Sequence, residues 1–180
     1  PWQDATLFES IALGVGGAPF YQKALVQLDQ KTLTSPTMVK VFDTLGKVKG
    51  YIDKDAPGRD WNLATAMVIN GKAGFQFMGD WAKGEFAAAG KVAGKDYLCA
   101  AAPGTAAAYT FNIDSFAMFQ QKSAEAKKGQ IALANAIMTP AFQSVFNLNK
   151  GSIPVRSGVP KDKFDDCALK SMADMDASSK

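Results

Sequence analysis

The stretch "GFQFMGDWAKGEF", residues 74–86, reads as a strand that hands over to a helix at Gly79, Asp80 and Trp81. Phe75, Gln76, Phe77 and Met78 fit a short buried strand, and Gly79 permits a tight turn. Asp80 has the chemistry of a helix N-cap, and "WAKGEFAAAG" continues with helical spacing. A strand feeding a helix points to an α/β layer. It also puts Trp81 on the first helical turn, a position that faces a strand end or a cleft.

Working outward, helices dominate. "PWQDATLFESIALG" has Asp4 as a candidate cap and Leu7, Phe8, Ile11 and Ala12 on one face, and it breaks at "GVGGAP". "PFYQKALVQLD" makes a second short helix. "SPTMVKVFDTLGKVKGYI" has the cleanest start, with Ser35 as cap and Pro36 in the first helical position; Met38, Val41, Phe42 and Leu45 form its buried stripe. After the turn-rich "DKDAPGRDW", the helix "NLATAMVINGKAG" closes at Gly71 and leads into the opening stretch. "KDYLCAAAPGT" and "AYTFNIDSFAMFQ" read as further short strands. Helices then follow from Ser123, from "TPAFQSVFNLNKG" and in "KDKFDDCALKSMADMD", with the extended "SIPVR" between the last two. Short strands separated by helices predict an α/β fold with a small mixed sheet.

Composition narrows the function classes. The 180 residues suit about one domain with a single sizeable core. The net charge of +3 arises from 20 basic and 17 acidic residues spread along the chain. A polyanion partner needs a basic cluster, so nucleic acid is not an expected partner. The apolar runs are too short and glycine-rich to span a membrane, and no membrane insertion is expected. Starting at Pro1 and ending in "DASSK", the chain reads as a processed product or a piece of a longer protein. The absence of histidine removes Ser-His-Asp and Cys-His catalysis and all His-based metal sites. No metal and no cofactor are expected. Cys99 and Cys167 are too far apart for a CxxC motif, and taken alone they fit one disulfide or two buried thiols equally well.

Three features stand at element ends. Trp81, with Asp80, offers an indole face that can stack on the C–H face of a sugar; a plug at the strand–helix corner is the alternative. Asp114 in "FNIDSF" is a carboxylate among apolar residues. It can accept from two sugar hydroxyls, or close an Asx-turn with Asn112. Lys150 ends a helix ahead of Gly151 and can donate to a hydroxyl, or simply complement the helix dipole. Trp2, Gln3 and Trp61 are weaker candidates. A catalytic reading needs two carboxylates flanking one bond, and nothing in the spacing of Asp80, Glu85 and Asp114 marks a pair. "GVGGAP" lacks the Lys-Ser/Thr of a phosphate loop.

Taken in order, these segments resemble a family. "INGKAGFQFMGDWAKGEF" is similar to the helix, Gly-Lys-Ala, strand and Gly-Asp-Trp of solute-binding proteins that serve sugar ABC transporters. "LNKGSIPVRSGV" resembles the Gly-x-Ile-Pro-Val-Arg element that follows a later helix in that family. The likeness runs along essentially the whole chain and is nearest to periplasmic glucose-binding proteins of the glucose/mannose type.

The resemblance implies that residues 1–180 are the C-terminal lobe of a two-lobed periplasmic binding protein, with the N-terminal lobe and a final segment absent. Such lobes clamp their ligand by hinge closure. The implied function is non-enzymatic: binding of a monosaccharide, glucose first, for delivery to the transmembrane subunits of an ABC permease. The alternative is a carbohydrate-active enzyme domain using Asp80 or Asp114. Carried over residue by residue, the resemblance makes Trp81 the stacking platform, Asp114 the hydroxyl acceptor and Lys150 the donor. Trp2 and Gln3 would line the cleft near the interdomain crossing. A periplasmic setting also implies that Cys99 and Cys167 are paired.

Overall fold

A computed structural model describes residues 2–178; Pro1, Ser179 and Lys180, the two ends of the expected lobe, lie outside the described residues. Helices form most of it. The first, α1 (Trp2–Tyr21), contains a break at Gly17, whose φ of 75° and ψ of 172° lie outside the helical region, and it continues through Pro19 into a π-helical turn over Gln22–Val26. The break falls in the "GVGGAP" run, where the sequence places it. After the short α2 (Gln30–Leu33), α3 (Pro36–Val48) starts at Ser35, whose hydroxyl accepts the Met38 N–H, with Pro36 in the first turn.

Packing of α3 across α1 makes the first core. Met38 and Val41 of α3 meet Ala12 of α1 and Ala24 of the π turn, with Phe8, Ile11, Phe20, Leu25 and Leu33 around them. Small residues at 12 and 24 let the backbones come close, and the larger side chains close the rim. Phe42, expected in the buried stripe, instead lies at the rim with most of its surface exposed; its ring sits 5.2 Å from that of Phe8.

The second half is organised around four helices: α4 (Trp61–Ile69), α5 (Ala82–Ala88), α6 (Ala124–Ile137) and α7 (Pro140–Lys150). Ser123 caps α6 through the Ala126 N–H, and Thr139 caps α7 through the Phe142 N–H, again with proline next. Each such cap satisfies an orphan donor and contributes about 1 kcal/mol. The last helix, α8 (Asp166–Ser178), closes a second core of Val159, Phe164 and Ala168 with Leu148, Ile153, Leu169 and Met172. No single helix among the described residues is long and apolar enough to cross a membrane; α6 and α7 reach that length only together, bent by 70°.

The expected small mixed sheet is not present among the described residues. Residues 74–79, 98–102 and 108–121 run without regular hydrogen-bonded structure, and the one bridge is an isolated parallel contact between Ala93 and Tyr97. A strand needs a neighbour to exchange ladder hydrogen bonds, and β-prone composition cannot provide one. Helices form from local bonds alone, so they survive here while the strand-like segments stay unpaired. The expected burial of 75–78 fails with the sheet. Phe75 is 91% exposed and Phe77 points outward too, while Gln76 turns inward and donates from Nε2 to the Trp61 carbonyl at 3.0 Å.

Long-range locks hold the second half together. Cys99 and Cys167 form a disulfide across 68 positions, with their Cα atoms 5.6 Å apart. Beside it, Lys83 of α5, only 8% exposed, donates to both Asp165 oxygens at 2.7 and 3.0 Å. Asp165 also accepts the Ala168 N–H at 2.7 Å, so one carboxylate caps α8 and ties it to α5. The charged stretch "KDKFDD" therefore contains a structural anchor. Phe86 stacks on Tyr97 at 4.1 Å and joins α5 to the segment carrying Cys99.

Two outcomes follow. Maleimide labelling in denaturant without reductant should find close to zero free thiols, and Cys99→Ser/Cys167→Ser should lose about 4 kcal/mol against urea, the chain-entropy value for such a loop. The run from Phe111 to Phe119 exposes Ile113, Phe116 and Met118 as well, with Phe119 at 74%. So much contiguous apolar surface should drive self-association in sedimentation at high concentration, and Phe116→Lys/Phe119→Lys should relieve it.

Candidate functional site

The site is built where the start of α5 meets the end of α7. Gly151 follows Lys150 with φ 84°, the left-handed conformation that ends a helix and that only glycine adopts without strain. There is no room for a side chain there. A Cβ on Gly151 would lie 2.6 Å from the Gly84 nitrogen and 2.9 Å from the Asp80 carbonyl oxygen. Reciprocally, a Cβ on Gly84 would lie 2.9 Å from the carbonyl oxygens of Asn149 and Lys150. The two backbones touch, and Trp81 and Lys150 are carried by the touching turns.

A buried polar network fixes the chain beyond that contact. Gln143 of α7 donates to the Ile137 carbonyl at 3.0 Å, and its Oε1 accepts the Val155 N–H at 3.2 Å and the Asn147 side chain at 3.3 Å. Asn147 Oδ1 accepts from the Ser152 hydroxyl at 2.7 Å. Arg156 reaches back to the Met138 carbonyl at 3.0 Å. "SIPVR" is thus stapled along α7, and Arg156 serves the scaffold.

Trp81 is half-buried at the entry to α5. Its ring folds over Gly79, where a Cβ would come within 2.1 Å of the indole, and the Trp2 ring lies 6.4 Å away at 52°. The expected cap role of Asp80 is not realised: α5 begins at Ala82, with Trp81 in the cap position and no side-chain cap. Asp80 is instead half-buried beside the Gly84–Gly151 contact. Burial raises its pKa above the ordinary carboxylate value, against the pull of the Lys83 and Lys150 charges.

Asp114 and Lys150 are brought together. The Lys150 ammonium donates to Asp114 Oδ2 and lies 5.9 Å from the centre of the Phe146 ring, while Asn112 donates to Asp114 Oδ1 at 3.2 Å. The long-range pairing and the local contact with Asn112, alternatives in the sequence, coexist. The hydrogen bond and charge of Lys150 hold the Asp114 pKa below its ordinary value. With its side chain 65% exposed, Asp114 is open to solvent and to an incoming group. Gln3 is less free, since its amide donates to the Arg59 carbonyl at 3.4 Å and Arg59 pairs with Asp53 at 2.5 Å. Trp61, at the start of α4, is half-buried and holds Gln76 and Thr65 through its carbonyl, a packing role.

Gln3, Asp80, Trp81, Asp114 and Lys150 line one open concavity of about 3320 Å³. Small-ligand sites enclose about 300–1,000 Å³. The surface is therefore a wall rather than an enclosed pocket, with an aromatic face and a carboxylate–ammonium pair set on it. That combination suits a polyhydroxylated ligand: the ring offers a stacking face, and the charged pair offers a strong acceptor beside a strong donor. Among the described residues no three His, Cys, Asp or Glu side chains are grouped to hold a metal ion.

Residues 3–171 match the family model of bacterial extracellular solute-binding proteins. The chain belongs to that family. A relative from Brucella suis biovar 1, named a probable sugar-binding periplasmic protein, is 53% identical over 181 residues, covering all of this chain and 42% of the relative. One of the same name from Rhizobium meliloti is 50% identical over 175 residues, 97% of this chain and 42% of the relative. A xylose/arabinose-binding protein from Haloferax volcanii is 25% identical over 171 residues, 92% of this chain and 35% of the relative. The chain spans less than half the length of these members of the family.

The charge pair has a direct test. Because the folded pKa of Asp114 is lowered, its contribution to stability is present above the unfolded value of about 3.8 and is lost as pH falls through the lower folded value. A carboxyl ¹³C titration should place the Asp114 midpoint below that value. Lys150→Met should return it toward the ordinary range.

Proposed function

We propose that this chain is the C-terminal lobe of a two-lobed periplasmic protein that binds a monosaccharide, glucose first, and presents it to the transmembrane subunits of an ABC permease. The observation that carries the reading is that Trp81 and Lys150 stand on turns whose backbones touch, with Lys150 paired to Asp114 along the same open concavity, in a chain of an extracellular solute-binding family. The volume of that concavity exceeds that of a sugar site, as expected of a wall that an opposing N-terminal lobe closes. Such a lobe accounts for the greater length of the relatives, whose printed names support a sugar ligand and a periplasmic location. In this reading Trp81 stacks on the sugar ring, Asp114 accepts from hydroxyls, Lys150 donates to one, and Trp2 and Gln3 flank the entrance. Closure would exclude water and strengthen each polar contact.

The enzyme alternative draws no support. The family and its named relatives are binding proteins, and the Asp114 carboxylate is held charged by Lys150, which suits a hydroxyl acceptor.

The test uses a chimera in which residues 1–180 replace the matched segment of the Brucella relative, titrated with glucose and xylose by calorimetry. Trp81→Ala should cost about 2–4 kcal/mol of binding, as a buried aromatic anchor does. Asp114→Asn should cost about 1.5–3 kcal/mol, the range for charge-assisted hydrogen bonds, and Lys150→Met less. The 180-residue chain alone should bind far more weakly than the chimera. Wild-type affinity in Trp81→Ala would return Trp81 to a corner plug, and equal affinity of chain and chimera would remove the two-lobe clamp.

A further inference from the structure

Lys150 carries its charge on a flexible four-carbon stem, and two partners hold its ammonium. One is the carboxylate of Asp114, in the extended run 108–121. That run has no regular hydrogen-bonded structure, and the Asp114 side chain is 65% exposed, so it is a poor fixed reference. The other is the ring of Phe146, whose centre lies 5.9 Å from Lys150 Nζ. Phe146 belongs to the same helix, one turn before Lys150. It stacks on Phe142, one turn earlier again, with ring centres 5.6 Å apart and planes at 16°. Positions 142, 146 and 150 follow at successive i, i+4 steps and share one face of α7. Helical side chains lean toward the N-terminus, which sends the lysine stem back over the preceding ring. The helix itself is fixed by the Thr139 cap and by the buried Gln143–Asn147 pair. Phe146 is 37% exposed and is not among the residues of either core, so core packing does not account for it.

We propose that Phe146 is a positioning residue: its ring, backed by Phe142, seats the Lys150 ammonium on α7, so that Asp114 can turn to a ligand hydroxyl while the ammonium stays at the site. The consequence for a sugar rests on the sugar-binding reading, whereas the seat is a property of the unliganded chain. Both Asp114 oxygens are in use, Oδ2 by Lys150 and Oδ1 by Asn112, so an incoming hydroxyl must share or displace one of them. Displacement from Oδ2 would release an unseated lysine into solvent, and binding would then have to restrict its rotamers again at a cost in entropy. The negative face of the ring attracts a cation. It therefore keeps a displaced ammonium within reach to donate to a neighbouring hydroxyl. An aliphatic side chain of similar bulk would pack on Phe142 but hold no charge.

The experiment separates the electrostatics of the ring from its bulk. Phenylalanine bearing one, two or three ring fluorines is incorporated at position 146; fluorine withdraws charge from the ring face and nearly keeps its shape. In the ligand-free 180-residue chain, the Asp114 midpoint from carboxyl ¹³C titration should rise stepwise with fluorine number, staying below its value in Lys150→Met, while the thermal midpoint holds level. In the chimera, the trifluoro ring should weaken glucose binding about threefold, the worth of a partly exposed cation–π contact, and in a Lys150→Met background it should change nothing. An Asp114 midpoint that stays constant across the series overturns the seat. Glucose affinity independent of fluorine number, or an equal loss in the Lys150→Met background, overturns the positioning role. If the parent chimera binds neither glucose nor xylose, the sugar reading fails by itself and the titration still decides whether Phe146 seats Lys150.

Discussion

The close approach of two glycines, Gly84 on α5 and Gly151 after α7, is the constraint on which the second half of this protein depends. Backbone meets backbone there with no space for a Cβ on either side. The helix that ends at Lys150 can therefore dock onto the turn carrying Trp81, and two side chains 69 positions apart in sequence come to share one wall. Around that contact the scaffold is redundant. The Gln143–Asn147–Ser152 network fixes the chain leaving α7, and the buried Lys83–Asp165 pair and the disulfide fix α8 against α5.

The apolar core and the candidate site draw on different parts of the chain. The α1–α3 core is apolar and closed, and it contains none of the candidate site residues except through the start of α1, where Trp2 meets Trp81. The second half is more polar inside, with Gln143, Asn147 and Lys83 all buried, and its order relies on specific hydrogen bonds and ion pairs. Buried polar networks are costly unless every member is satisfied, but they define one geometry where an apolar core tolerates several. On the proposed sugar-binding reading, a wall that holds an indole, a carboxylate and an ammonium in register benefits from that definition.

Much of this was legible in the sequence wherever the physics is local. Ser35, Ser123 and Thr139 cap the helices they precede, Gly17 breaks the first helix, and Gly151 ends α7 in the left-handed conformation. These follow from a few neighbouring residues. The strands did not follow, because "FQFM" and "TFNIDSF" have strand composition but no pairing partner. Asp80 has local cap chemistry, but α5 starts after Trp81 and takes no side-chain cap. The Lys83–Asp165 pair spans 82 positions and leaves no trace in spacing. Lys150, Asp114 and Trp81 were singled out by type and by position at element ends; the pairing of Lys150 with Asp114 and the contact of the turns that carry Trp81 and Lys150 are visible only in three dimensions.

The most direct measurement compares glucose affinity in the chimera for Gly151→Ala and Gly158→Ala. Both glycines have the same left-handed backbone, at φ 84° and 78°, but only Gly151 has neighbours where a Cβ would go. Conformational strain is thus matched, and the comparison isolates the backbone contact. The account predicts that Gly151→Ala loses at least tenfold in affinity while Gly158→Ala stays within about threefold of the parent. Equal affinities for the two variants would contradict the claim that this contact sets the site.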